Sequence, residues 1–71
     1  SNNYTFDNNS YIVVRFNDIA PDLINDFEIR HNLQLKQILI IGDYICSHKS
    51  DNILNLIDII ASEDNVKTVT P

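Results

Sequence analysis

The most constraining feature of this chain is one stretch, Ile53–Ala61. In it Ile53, Leu56, Ile57, Ile60 and Ala61 fall at i, i+3, i+4, i+7 and i+8. That spacing puts all five on one side of an α-helix. A stripe so apolar has to be buried against a second layer, and the rest of the chain reads as the strands of that layer. Tyr11–Phe16 (YIVVRF) is β-branched and aromatic, as strands are. Alternation sends Ile12, Val14 and Phe16 to one face and Tyr11, Val13 and Arg15 to the other. Leu33–Ile41 and Tyr44–Lys49 read as a second and a third strand, joined through Gly42-Asp43, which holds the chain's single glycine. The apolar run Ile38–Ile41 suits a buried strand. Ser62–Asn65 ends the helix, and Val66–Thr70 reads as a short fourth strand.

A second helix precedes the second strand. Asn17-Asp18 breaks the first strand, and Pro21 fits the first turn of a helix, where its missing N–H is not needed. Asp22 adds favourable charge near that N-terminus. Leu23, Ile24 and Phe27 form its apolar stripe, and His31-Asn32 ends it, since Asn tolerates a left-handed turn. Ser50 or Asp51 is expected to cap the later helix. The order is β-α-β-β-α-β. Right-handed crossovers then predict an α+β, ferredoxin-like fold: a four-stranded antiparallel sheet with two helices on one face. The expected core is Ile12, Val14, Phe16, Leu23, Ile24, Phe27, Ile53, Leu56, Ile57 and Ile60.

Seventy-one residues allow one domain with a small core. Residues 1–10 read as a polar lead-in whose Ser1-Asn2 start resembles a cloning remnant; residues 11–71 read as the domain. Ser1–Ser10 lacks the basic start and apolar stretch of a signal peptide, and no apolar run approaches the ~20 residues that span a bilayer. The formal net charge is −5, with Arg15, Arg30, Lys36, Lys49 and Lys67 scattered. Nucleic acid and anionic membrane are therefore not expected as partners. A lone Cys46 excludes an internal disulfide and a multi-cysteine metal site.

Little in the chain reads as catalytic, and no enzyme activity is expected. Cys46 and His48 lie two apart on a strand and so share a face, but no acid is placed to orient the histidine. Their simpler reading is a buried strand thiol and its neighbour. His31, near a helix end, reads as a favourable dipole contact. Two histidines and one cysteine do not make a metal site, and one glycine cannot build a phosphate-cradling loop. No cofactor is expected.

The finer pattern resembles a known family. Tyr11-Ile12-Val13-Val14, Lys36-Gln37 in the second strand, and an amphipathic helix running into Asp64-Asn65-Val66-Lys67-Thr68-Val69 are similar to the propeptides of subtilisin-like serine proteases. Those open on a "YIV" strand and close on a helix followed by a "D-P/N-V-x-x-V" strand. The resemblance spans Tyr11 to Pro71. It implies an intramolecular chaperone and inhibitor that binds its cognate protease domain, in cis or in trans, as part of a secreted or cell-envelope precursor. It also implies that the helix-free sheet face packs on the protease while a C-terminal extension lies in the substrate cleft. The implied interface residues are Tyr11, Val13, Arg15, Ile45, Ser47, Val69, Thr70 and Pro71, with Tyr44, Cys46 and His48 turned toward the helices. An isolated copy is expected to form a homodimer through the same face.

Two departures stand out. The family's acidic helix-capping position is matched here by the uncharged Thr70, and the sequence stops at Pro71, before any cleft-binding extension. The alternative is an ACT-like small-molecule-sensing module or another non-catalytic interaction domain. ACT-type domains usually carry a glycine between first strand and first helix, where this chain has Asn17-Asp18-Ile19-Ala20. An RNA-binding βαββαβ domain needs exposed aromatics with basic neighbours on its central strands, and Tyr44-Ile45-Cys46-Ser47-His48 does not supply them.

Overall fold

A computed structural model describes residues 10–39 and 42–71. Six elements follow in order: β1 (Tyr11–Phe16), α1 (Pro21–His31), β2 (Gln34–Ile38), β3 (Asp43–Ser47), α2 (Ile53–Ala61) and β4 (Val66–Thr70). They form one sheet of order β2-β3-β1-β4 in which every neighbouring pair is antiparallel. β1 and β2 thus run parallel with β3 between them, the arrangement a βαβ crossover produces. This is the expected ferredoxin-like architecture. β2 and β3 are shorter than the sequence reading had them, and Ile40 and Ile41 lie outside the described residues.

Ile12, Val14 and Phe16 of β1 share one buried cluster with Phe27 of α1 and with Leu56 and Ile60 of α2. Both helices therefore cover the same sheet face. Phe16 is the pivot of this core: Phe27 and Tyr44 each meet its ring edge-on, with centroids 5.0 and 5.2 Å away. Ile24, Ile53 and Ile57 are half-buried. Leu23 corrects the expected core, being 44% exposed. The inward side of α1 runs through Ile24, Phe27, Glu28 and His31, so Leu23 falls on its flank. Ala61 is likewise exposed at the end of the α2 stripe. Leu33, Cys46, Val66 and His48 are buried as well.

The helix ends follow backbone chemistry closely. Asn32 takes the left-handed conformation at φ 53°, and Leu33 N–H donates to Glu28 O at 2.9 Å, closing α1. The α2 cap is Asn52, not Ser50 or Asp51: its side chain accepts from Asn55 N–H at 3.1 Å. Ser50 instead accepts from Asn52 N–H at 3.0 Å, setting the approach to the cap. Gly42, at φ 91°, donates to Leu39 O between β2 and β3. Ile38 is 55% exposed, so the expected buried run does not start as core. It ends β2, an edge strand.

Both edge strands are bulged. On β2, Leu35 and Gln37 face the consecutive residues Cys46 and Ile45, leaving Lys36 as the extra residue. On β4, Val66 and Thr68 face Phe16 and Arg15, leaving Lys67 as the extra one. Beside the first bulge, Leu35 N–H donates to the Glu28 carboxylate at 2.8 Å, tying α1 to the sheet.

A polar clamp holds the far end of α1. The Glu63 carboxylate, just beyond α2, meets both the Arg30 guanidinium and His31 Nε2, the latter at 2.5 Å. Arg30 also pairs with Asp26 at 2.7 Å, one turn earlier. His31 packs against Phe27, with ring centroids 4.7 Å apart. The Arg30 hydrogen bond, chiefly, and the His31 contact hold the Glu63 carboxyl below its ordinary value. A carboxylate whose folded value is depressed contributes stability that is present above the unfolded value and is lost as pH falls through the folded one. The wild-type domain is therefore expected to lose thermal stability below about pH 4.5, the ordinary value of the group. Glu63→Gln should lower Tm by roughly 2–6 °C at neutral pH, as befits a partly exposed cluster, and flatten that acid limb. Melts of both proteins across pH 3–7 read this directly; parallel curves would show that the clamp contributes nothing.

Candidate interaction face

The sheet face away from the helices is built by alternation. Tyr11, Val13 and Arg15 project there from β1 because Ile12, Val14 and Phe16 are committed to the core. Antiparallel register then sets their neighbours. Val13 lies opposite Ile45, Tyr11 opposite Ser47, and Arg15 opposite Asp43. On the other side Thr70 is opposite Val13 and Thr68 opposite Arg15. Gln34 and Gln37 lie beyond Ser47 and Ile45 on β2. Tyr11, Val13 and Ile45 thus form a small apolar centre within a border of hydroxyl, amide and paired charged groups. Arg15 Nε donates to Asp43 Oδ1 at 2.7 Å, so the charges on this face cancel locally. Tyr11 is 41% exposed, and Val13 and Ile45 are half-buried among their own neighbours.

No protein-family model, curated protein or solved structure matches this chain.

Of the eight residues singled out from sequence, the structure brings Tyr11, Val13, Arg15, Ile45, Ser47 and Thr70 onto this one surface. Val69 is a correction. It lies opposite Val14 and packs against the core, because β4 alternates and Thr68 and Thr70 take the outward positions. Pro71 is exposed just past the end of β4. Asp43, Thr68, Gln34 and Gln37 were missed. Alternation from Thr70 would have given Thr68, whereas Asp43 depends on a strand boundary and Gln37 on a bulge that leaves no mark in the sequence.

On the opposite face, Cys46 and His48 both point into the core, 2% and 5% exposed. The thiol's hydrogen-bond partner is Tyr44 O, at 3.8 Å. Burial, with a smaller push from the Glu28 carboxylate, raises Cys46 to about 11. His48 Nδ1 accepts from Ser50 N–H at 3.1 Å. The pair therefore shares a face but has no thiolate–imidazole chemistry to offer. A rise of two units from 9.0 leaves roughly a hundredfold less thiolate at pH 8 than in the unfolded chain. Labelling of Cys46 by a thiol reagent is expected to be at least that much slower in native buffer than in denaturant. Equal rates in the two would place the thiol at the surface and reverse this assignment.

Proposed function

We propose that this domain is the propeptide-like partner of a subtilisin-like serine protease, binding it through the helix-free sheet face and restraining it until the domain is removed. One observation carries the reading: the face left open by the helices has an apolar centre, Tyr11, Val13 and Ile45, with polar side chains beside it on β2, β3 and β4. An apolar centre ringed by groups that keep hydrogen-bonding to water is the anatomy of a protein–protein contact. The Tyr11–Val14 opening strand and the Asp64–Val69 closing segment support the same reading.

The chemistry of such a role is thermodynamic. A domain that binds the folded protease and not its unfolded chain stabilises the folded form by mass action. The same contact, held at high effective concentration when both lie on one precursor, blocks the enzyme until the link is cut. Neither task needs a nucleophile or a metal in the domain itself. Thr70 stands where the family has an acid, so its hydroxyl would serve as a neutral hydrogen-bond partner at the protease surface.

The test is a titration of this domain against a panel of purified subtilisin-like proteases, including any encoded on the same precursor. Saturable inhibition of at least one supports the reading, as does faster recovery of activity during refolding of that enzyme. Neither effect on any member, at concentrations well above micromolar, would remove it and leave a non-protease interaction module.

A further inference from the structure

The charge of this chain is divided unevenly between its two layers. α1, α2 and the segments flanking them, residues 17–33 and 50–65, hold eight carboxylates against Arg30 alone, a net charge of −7. The strands, with Lys49 just past β3, hold Arg15, Lys36, Lys49 and Lys67 against Asp43. The helix layer also bears the two most exposed large aliphatic side chains among the described residues, Ile29 and Leu54, each 72% exposed. Asp26 lies three residues before Ile29 and Asp58 four after Leu54, so each shares its helix face with a carboxylate. Two copies meeting there would press like charges together. The open sheet face differs. Its one acid and one base, Asp43 and Arg15, are paired at 2.7 Å. Around Val13 and Ile45, the side chains of Tyr11, Ser47, Thr68, Thr70, Gln34 and Gln37 each offer a hydroxyl or amide that can both donate and accept.

We propose that a second copy of this chain covers the open sheet face, in a two-fold arrangement that leaves both acidic helix layers on the outside. A two-fold contact joins one surface to itself, so that surface has to be its own complement. A face with an apolar centre, a balanced ion pair and groups that donate as well as accept meets this condition. The helix layer, at −7, does not. Sheet-to-sheet contact also keeps the two acidic layers apart, which lowers their mutual repulsion. Size sets the strength. Four strands of five or six residues cover roughly 17 by 19 Å, well short of the ~800 Å² per partner of a stable interface. The dimer is therefore weak and exchanges fast, with a dissociation constant on the order of 0.1–1 mM. A tighter-binding partner at the same face displaces it.

The experiment is sedimentation equilibrium of the whole chain from roughly 10 μM to 3 mM, a range that spans this constant, with ¹⁵N spectra across the same dilution. The expected result is a monomer–dimer equilibrium whose concentration-dependent shifts centre on Val13, Ile45, Tyr11, Ser47 and Thr70 and leave α1 and α2 unmoved. Raising the salt should tighten it roughly fivefold, because two chains of net charge −5 repel and salt screens that repulsion. Val13→Asp should abolish the dimer. Thr70→Glu, at an exposed position beside Val13 that does not enter the core, should weaken it at least ~10-fold by placing a charge in the contact. Leu54→Asn, on the helix layer, should leave it unchanged. A chain that stays monomeric at millimolar concentration overturns the proposal. So does a dimer that weakens with salt, which would mark a head-to-tail contact of the acidic helix layer with the cations of the strands. So does a dimer lost in Leu54→Asn but kept in folded Val13→Asp and Thr70→Glu. None of these outcomes depends on whether the same face binds a protease.

Discussion

Phe27→Ala is expected to unfold the domain. Phe27 is 2% exposed and stacks edge-on against Phe16. Removing a buried phenyl ring costs about 3–5 kcal/mol through lost burial and the cavity left behind. A core this small supplies only about 3–5 kcal/mol in total. The far-ultraviolet circular dichroism of the variant at 25 °C should therefore lack the native signal, or show a melt displaced downward by some 20 °C or more. Ile60→Ala, at a fully buried position, should follow it closely. Leu23→Ala is the informative contrast. The sequence pattern counts Leu23 as core, but its side chain lies on the flank of α1, and truncation there should cost under about 1 kcal/mol. A large loss at Leu23 with a small one at Phe27 would mean that α1 is rotated from the orientation described.

Val13→Asp should have the opposite profile: a folded domain that no longer binds protease. Val13 lies at the centre of the open face, between Ile45 and Thr70. In the free domain the new carboxylate can reach water, so the melt should shift by only a few degrees. In the complex it would be an unpaired charge pressed into an apolar contact, which costs several kcal/mol. Inhibition of a responsive protease should weaken at least ~100-fold, equivalent to ~2.7 kcal/mol. The assay is an inhibition curve for each form alongside its thermal melt. Undiminished inhibition by a folded Val13→Asp domain would move the contact off this face.

Much of this architecture was legible because two periodicities dominate the chain. The β1 alternation of YIVVRF assigned both faces correctly, since every second residue is aliphatic or aromatic and the core needs only one set. The α2 stripe was equally direct. The errors share a physical origin. On α1 the inward positions include Glu28 and His31, polar residues made tolerable by partners outside the helix: Leu35 N–H for one, Glu63 for the other. No local pattern announces such partners, so the stripe was read one position too far toward Leu23. The α2 cap was misplaced because Ser50, Asp51 and Asn52 are all good caps, and only the backbone path selects the third. Val69 was included in the interface by analogy with the end of a family motif, although alternation puts it on the opposite face from Thr70.

The two bulges also bear on how the protein behaves in a crowd. A sheet of four strands has two margins, and each margin offers unpaired amide and carbonyl groups to any passing chain. Here each margin is interrupted by one extra residue, and in both cases that residue is an exposed lysine. A second strand trying to extend the ladder would lose register at the interruption and would have to bring its own backbone against an ammonium group. Fibril-like stacking through either margin is thereby discouraged at its first step. This matters most for a small domain that opens often and closes again, because each opening is an opportunity for the wrong neighbour to pair. Lys36 and Lys67 thus discourage pairing between the margins of two copies and leave the broad face open.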